Sequence, residues 1–263
     1  MSLNIGDALS GGAEKLTTSG GIQLGIVYVV LQLMTVLGAN SISAEIPPPP
    51  GSEGMAADPA LALPIGIAGG AVLVALGGIL SFAFTIVALR ALDHDAAELG
   101  SIPSGVTDNM VKTWVFLLIA MIVQGIAVFL GYLALIIPGI FLMVSLIFTQ
   151  VFVAVEGEGP FEALSSSWSL AKGNRFPLFG LGVVIFVISL LVSIPTGIVM
   201  LFSPAVGMVL TYVVTGFVGI FSLGVLIDAY HQLKSEEATP TTETDDDDGV
   251  ERLDDDDSGF DYA

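Results

Sequence analysis

Few side chains in this sequence are suited to binding a metal or acting as a nucleophile. The chain has no cysteine, which excludes disulfides, iron–sulfur clusters, thiolate zinc sites and cysteine nucleophiles. It has two histidines, and one of them, His94, lies between Asp93 and Asp95. These three side chains could bind a metal weakly, but a solvated loop cluster is the expected interpretation. We therefore predict no metal site.

Known enzyme motifs are missing as well. The sequence has no Gly-x-Ser-x-Gly elbow, no His-Glu-x-x-His, no Walker phosphate loop and no Rossmann glycine fingerprint. A net charge of −19 also argues against nucleic acid as a partner. We predict a protein that is not an enzyme, with no catalytic residue, no cofactor and no nucleic-acid partner.

Three glutamines lie within long apolar stretches, where an amide must find a hydrogen-bond partner. They are Gln32, Gln124 and Gln150. Hydrogen bonds between helices are the first interpretation, and a polar transport path is the alternative. The structural role is favoured because no charged residue accompanies these glutamines at the centre of the stretches.

Three charged residues close apolar stretches at what we expect to be one side of a membrane. These are Arg90, Glu156 and Asp228. A guanidinium can hold a carboxylate with two hydrogen bonds, so we predict that Arg90 pairs with Asp228 or Glu156. The alternative is that each side chain extends separately to water. Gating or ion binding by the three is a third reading.

The composition indicates a protein dissolved in lipid. Hydrophobic residues make up 54% of the chain, charged residues 13%, and the mean hydropathy is +0.87. Soluble domains have about 25% charged residues. Six stretches are long enough to cross a bilayer as helices: Gly21–Ser41, Pro64–Leu92, Thr113–Ile137, Pro138–Val155, Phe176–Phe202 and Ala205–Leu233. We predict an all-α polytopic membrane protein whose six transmembrane helices form three hairpins.

Basic residues predict the orientation. With six spans, all seven fall on one side, which the positive-inside rule makes the cytoplasm. They are Lys15, Arg90, Lys112, Lys172, Arg175, Lys234 and Arg252. We predict a multi-pass protein of the plasma membrane with both termini in the cytoplasm, and the lipid bilayer as its first partner. A homo-oligomer or other membrane proteins remain open as further partners.

Short amphipathic helices are predicted on the cytoplasmic side. In Phe161–Lys172, apolar residues recur at helical spacing, with Pro160 before them and Gly173 after them. Trp168, Lys172 and Arg175 suit the interface between headgroups and acyl chains. Similar helices are predicted at Ile5–Leu16 and around Asp108–Lys112, so that one would precede each hairpin.

The chain divides into three parts by composition: an amphipathic segment at residues 1–20, the membrane domain at 21–233 and an acidic tail at 234–263. The tail includes two runs of four aspartates, at 245–248 and 254–257, and is predicted to be disordered. Such a tail either binds a basic partner or reflects a salt-loving organism. The scarcity of lysine and the acidic character of the loops in the rest of the chain favour the second explanation. A halophilic archaeon is therefore the predicted source.

The residues around the fourth span resemble those of a known family. They are Pro138-Gly139-Ile140, Val155-Glu156, Phe161-Glu162-Ala163-Leu164 and the run from Ser167 to Arg175. This pattern resembles YciC-like bacterial inner-membrane proteins, the membrane domain attached to some glycerophosphodiester phosphodiesterases, and six-span haloarchaeal proteins. Many relatives carry an arginine after Pro-Gly, where this chain has Ser145. The phosphodiesterase catalytic domain is absent, so the resemblance implies an integral membrane protein and no hydrolase activity.

Three classes of function follow from these observations. The leading one is a non-enzymatic envelope component, scaffold or accessory subunit. A transporter or channel for a small solute is the second class. Such proteins usually show charge at the membrane midplane or broken helices, and this sequence has no charged residue at the centre of its apolar stretches. An intramembrane enzyme is third and would need a catalytic pair that the sequence does not show.

Overall fold

The computed structural model describes residues 3–46, 61–101, 103 and 105–238, and these residues are helical with no strand. The nine α-helices of this part are α1 Ile5–Thr17, α2 Ser19–Ser43, α3 Gly66–Leu92, α4 Met110–Ala134, α5 Ile136–Ser145, α6 Thr149–Val151, α7 Pro160–Ala171, α8 Arg175–Phe202 and α9 Pro204–Ala238. A 3₁₀ turn covers Ala96–Glu98, and a π-helical turn at Phe152–Glu156 continues α6. The all-α fold is confirmed.

Within the described residues, six helical segments are long and apolar enough to cross a membrane, as predicted. Five are single helices (α2, α3, α4, α8 and α9), and the fourth span in chain order is built from α5, α6 and the π turn. Many large apolar side chains of α4 and α8 are exposed, among them Phe129, Leu133, Phe186 and Leu191. Exposing such a surface to water would be unfavourable, whereas in a bilayer it contacts lipid instead.

The first hairpin is closed by small residues. A Cβ added at Gly70 on α3 would lie 2.7 Å from the carbonyl oxygen of Gly38 on α2. The two backbones are therefore too close for any side chain at this crossing. In lipid, such close approach supplies the dispersion contact that replaces the hydrophobic drive between helices.

The fourth span is interrupted, which the sequence did not predict. Instead of one helix over Pro138–Val155, α5 ends at Ser145 and α6 begins at Thr149. The Ser167 hydroxyl on α7 donates to the carbonyl oxygen of Ser145 at 3.2 Å and accepts from the amide of Phe148 at 3.1 Å. Backbone groups freed in a membrane protein must be satisfied internally, and Ser167 does this.

Two of the three predicted amphipathic helices are confirmed. α1 begins at the Asn4 side chain, which accepts from the amides of Gly6 and Asp7, and α7 begins with Pro160 at its first position. α7 ends before Gly173, whose φ of +92° favours glycine. The third prediction is wrong, because Met110 begins the long helix α4 directly after a turn and leaves no separate helix around Asp108–Lys112.

The last helix is longer than the predicted sixth span, Ala205–Leu233. α9 continues beyond residue 233 to Ala238, because its last turns pack against α1 and the end of the fourth span and so are stabilised beyond the apolar stretch. The rest of the predicted disordered tail, residues 239–263, lies outside the described residues.

Candidate functional site at the charged end of the bundle

Charged side chains collect at one end of the helix bundle, which we call the charged end. It consists of α1, the last turn of α3, the first turn of α4, the π turn, α7, the start of α8 and the last turns of α9. Five of the six lysines and arginines in the described part of the chain belong to these segments, and the sixth, Lys172, lies in the turn between α7 and α8. The seventh, Arg252, lies outside the described part.

A buried ion pair joins α1 to α9. Lys15 Nζ lies 2.6 Å from Asp228 Oδ1, and the two side chains are 7% and 18% exposed. Gly11 on α1 lies directly against the Asp228 carboxylate, so a side chain there would displace it. The second carboxylate oxygen of Asp228, Oδ2, is buried without a hydrogen-bond partner in the described structure. This pair fixes the amphipathic helix against the last span.

A second cluster links the fourth span to α9. The Tyr230 hydroxyl and the Lys234 ammonium both donate to Glu156 Oε1, and Lys234 Nζ also donates to the Tyr230 hydroxyl at 2.9 Å. The Tyr230 ring is buried between Phe148 and Phe152, with centroids at 6.0 and 5.4 Å. Glu156 is therefore held by partners one helical turn apart on α9.

Arg90 has other partners than the predicted ones. Its Nε donates to the Ala154 carbonyl oxygen at 2.6 Å, and its Nη1 donates to those of Val106 at 3.0 Å and Asp108 at 2.7 Å. Its Nη2 donates to the Thr113 hydroxyl at 2.9 Å. The predicted pairing of Arg90 with Asp228 or Glu156 is wrong, because Lys15 and Lys234 hold those carboxylates. Arg90 instead satisfies carbonyl groups left open by a turn and by a helix end.

Arg175 is held at the junction of α5, α7 and α8. Its guanidinium carbon lies 4.5 Å from the ring centroid of Phe141 and 4.7 Å from that of Trp168. Its Nε donates to the Ser145 hydroxyl at 2.9 Å. The predicted interfacial residues Trp168 and Arg175 thus come together, whereas Lys172 lies exposed at the end of α7.

Glu158 lies in the short loop between the π-helical turn and α7. Its Oε1 accepts from the Ser166 hydroxyl at 3.1 Å, and its Oε2 is buried without a partner in the described structure. Burial raises the pKa of the Glu158 carboxyl, and the hydrogen bond from Ser166 opposes this only in part. Sequence inspection missed this residue because its loop reads as exposed.

The three glutamines lie on different spans: Gln32 on α2, Gln124 on α4 and Gln150 on α6. Each is half-buried. The Oε1 atom of Gln124 is buried without a hydrogen-bond partner among the described residues, which contradicts the predicted interhelical bond for that atom. The cavities beside α5, α9 and α3 have apolar walls, apart from Arg175 in the first, and include none of the three glutamines.

The histidine and aspartate residues singled out in the sequence go to separate contacts. Asp93 Oδ1 lies 2.8 Å from His231 Nε2, and His94 Nδ1 lies 3.0 Å from the carbonyl oxygen of Arg90. No group of three or more histidine, aspartate or glutamate residues in the described segments is arranged to hold a metal.

Sequence inspection also missed Lys15 and Tyr230, although a signal for each was present. Lys15 follows Gly11 and Gly12, a pair of small residues that predicts close approach of another helix. Tyr230 and Lys234 are one turn apart, a spacing that places both on the same face of a helix.

Comparison with known proteins gives a family for this chain. A family model described as "Domain of unknown function (DUF7847)" matches residues 3–233. The comparisons with curated proteins and with solved structures found no significant match. The chain therefore belongs to this family. The resemblance to YciC-like proteins and to phosphodiesterase membrane domains stays a prediction.

Proposed function

We propose that this member of the DUF7847 family is a non-enzymatic component of the cell membrane, acting as a scaffold or accessory subunit. The observation that carries this proposal is that polar groups at the charged end form bonds between helical segments of the chain. Lys15, Arg90 and Glu156 each join two or more helical segments through bonds within the chain. A catalytic group would instead face a cleft that a substrate can enter.

The same proposal includes location and orientation: the plasma membrane, with both termini in the cytoplasm. Its support is the single-sided distribution of basic residues, which the translocation machinery retains on the cytoplasmic side. The charged end then faces the cytoplasm, and α1 and α7 lie at the inner surface of the membrane.

A transporter or channel is the second candidate, and one observation favours it. Broken helices at membrane depth are typical of transporters, whose exposed backbone groups bind the solute. In this chain, however, Ser167 occupies the interruption between α5 and α6 and takes up one freed amide and one freed carbonyl group. The backbone there is used for structure, which favours the first candidate.

A flux measurement separates the two candidates. The purified chain is reconstituted in sealed vesicles that carry ion-sensitive dyes, and leakage is compared with protein-free vesicles. We expect equal leakage. Flux above the protein-free level that is lost in both Gln124→Leu and Gln150→Leu, but kept in the lipid-facing control Leu133→Ile, would contradict the scaffold proposal and favour a transport path through the glutamines.

Membership of an assembly is tested in native membranes. After mild solubilisation, we expect the full chain to migrate in native electrophoresis at a mass well above that of the purified protein in the same detergent. Migration at the same mass in both samples would contradict the accessory role.

A further inference from the structure

An apolar groove between α5 and α8 has a cation at one end. Its volume is about 480 Å³, and Arg175 lies among its walls. The remaining walls are aliphatic and aromatic side chains and one glycine: Ile137, Ile140, Phe141, Val144, Gly173, Phe176 and Phe179. The residues of the groove belong to the membrane-facing side of the two helices, since Ile137, Phe141, Phe176 and Phe179 are exposed. In a membrane, such a surface is in contact with the acyl chains of lipids.

The cation at the end of the groove is fixed in place but not neutralised. Two rings and the Ser145 hydroxyl hold the Arg175 guanidinium. Within the described part of the chain no carboxylate forms a salt bridge with it, and its Nη2 is buried without an acceptor. The side chain as a whole is half-buried. A cation at the membrane without a counterion is costly, so an anion beside its exposed part would be stabilised.

We propose that the groove binds one acidic phospholipid, with its phosphate on Arg175 and an acyl chain along α5 and α8. Since Nε of Arg175 donates to Ser145 and Nη2 is buried, Nη1 is the donor that a phosphate oxygen can approach. The rings of Phe141 and Trp168 lie against the guanidinium and hold it in place. The walls favour a lipid over a free anion, because only an acyl chain gains contact along Ile140, Val144 and Phe179. Exposed Lys172, three residues earlier, adds positive charge beside the headgroup. This site goes beyond the proposed function and does not depend on it.

Trp168 provides the measurement, because it contacts both Arg175 and Phe141. The chain has two tryptophans, so Trp114→Phe leaves Trp168 as the only indole. The full chain with this change is placed in phosphatidylcholine bilayers that contain increasing fractions of brominated lipid. We expect brominated phosphatidylglycerol to quench Trp168 at much lower mole fraction than brominated phosphatidylcholine.

Arg175→Gln is expected to reduce this preference about tenfold, the effect of losing a charge-assisted hydrogen bond. Arg175→Lys, which keeps the charge but not the planar fork, should retain part of the preference. Lys112→Gln is the matched control: it removes one basic residue at the charged end, over the Phe116 ring and away from the groove, and should leave the preference unchanged. Circular dichroism verifies that each variant is folded.

Three results would overturn the proposal. Equal quenching by the two brominated lipids in the parent chain would show that the groove does not select acidic lipid. An equal loss of preference in Lys112→Gln would show a general surface charge effect. Relief of quenching by inorganic phosphate would identify a free-anion site.

If Arg175→Gln fails to fold, Ser145→Ala, which releases only Nε, takes its place and should lower the preference to a smaller extent. The scaffold proposal stands whatever the lipid result, because its tests are flux and assembly.

Discussion

At the residue scale, the Lys15–Asp228 pair offers the sharpest test of how α1 is attached. Removing one partner of a buried ion pair leaves the other charge without compensation, which costs about 3–5 kcal/mol. We expect Asp228→Asn to lower the free energy of unfolding in detergent by about 3 kcal/mol, and Lys15→Met combined with Asp228→Asn to recover most of it. Thermal or denaturant unfolding followed by circular dichroism measures both.

The Asp93–His231 pair is the control for this prediction. Its side chains are 30% and 44% exposed, so solvent screens the interaction and the ordering of two side chains offsets it. We expect His231→Gln to change the free energy of unfolding by less than about 1 kcal/mol. If Asp228→Asn has no larger effect than His231→Gln, the pair does not fix α1 to the bundle.

Glu158 predicts a pH dependence of stability. Burial raises the pKa of this carboxyl in the folded protein above its unfolded value, so the folded state binds the proton more tightly. The resulting stabilisation is fully present below the unfolded pKa and is lost as pH rises through the folded pKa. Glu158→Gln should flatten this part of the stability curve, measured by unfolding at a series of pH values. Glu98→Gln, an exposed change in the 3₁₀ turn at a residue that does not contribute to the raised pKa of Glu158, should leave the curve as it is in the parent.

At the element scale, the interruption of the fourth span depends on α7. Ser167→Ala would leave the Phe148 amide and the Ser145 carbonyl group without their side-chain partner inside the protein. An unsatisfied buried group costs about 1–3 kcal/mol, so we expect a loss of that order in the free energy of unfolding. Ser165→Ala, on the exposed face of the same helix, should cost little. Equal losses for the two variants would mean that the interruption is stable without the Ser167 hydroxyl.

The elements themselves were largely predictable, whereas their partners were not. Long apolar stretches fix the existence of the spans, and the Pro160 and Gly173 signals locate α7 within a residue or two. The interruption at Leu146–Phe148 has no glycine or proline to mark it, and the Ser167 hydroxyl that bonds to its backbone belongs to another helix. The partner of Arg90 depends on which helices are neighbours, and hydropathy does not carry that information.

At the scale of the whole molecule, the apolar exterior and the charged end together require a bilayer with the basic residues on one side. The positive-inside rule predicts that the charged end faces the cytoplasm. The absence of cysteine makes the direction measurable, because a single introduced thiol is then the only reactive site. Ser43, at the end of α2 far from the charged end, and Ser10, on α1, are both exposed.

We expect a membrane-impermeant maleimide to label Ser43→Cys on intact cells, and to label Ser10→Cys only after the membrane is permeabilised. Both substitutions replace a hydroxyl by a thiol on an exposed helical face, so neither should disturb the fold, and labelling in detergent verifies that both thiols are reactive. Labelling of Ser10→Cys alone on intact cells would show that the protein has the opposite orientation in the membrane. The charged end and the Arg175 groove would then face the outside, and the acidic lipid would have to come from the outer leaflet. Equal labelling of both thiols on intact cells would mean that Ser10 and Ser43 lie on the same side, which six spans with α1 at the charged end do not allow.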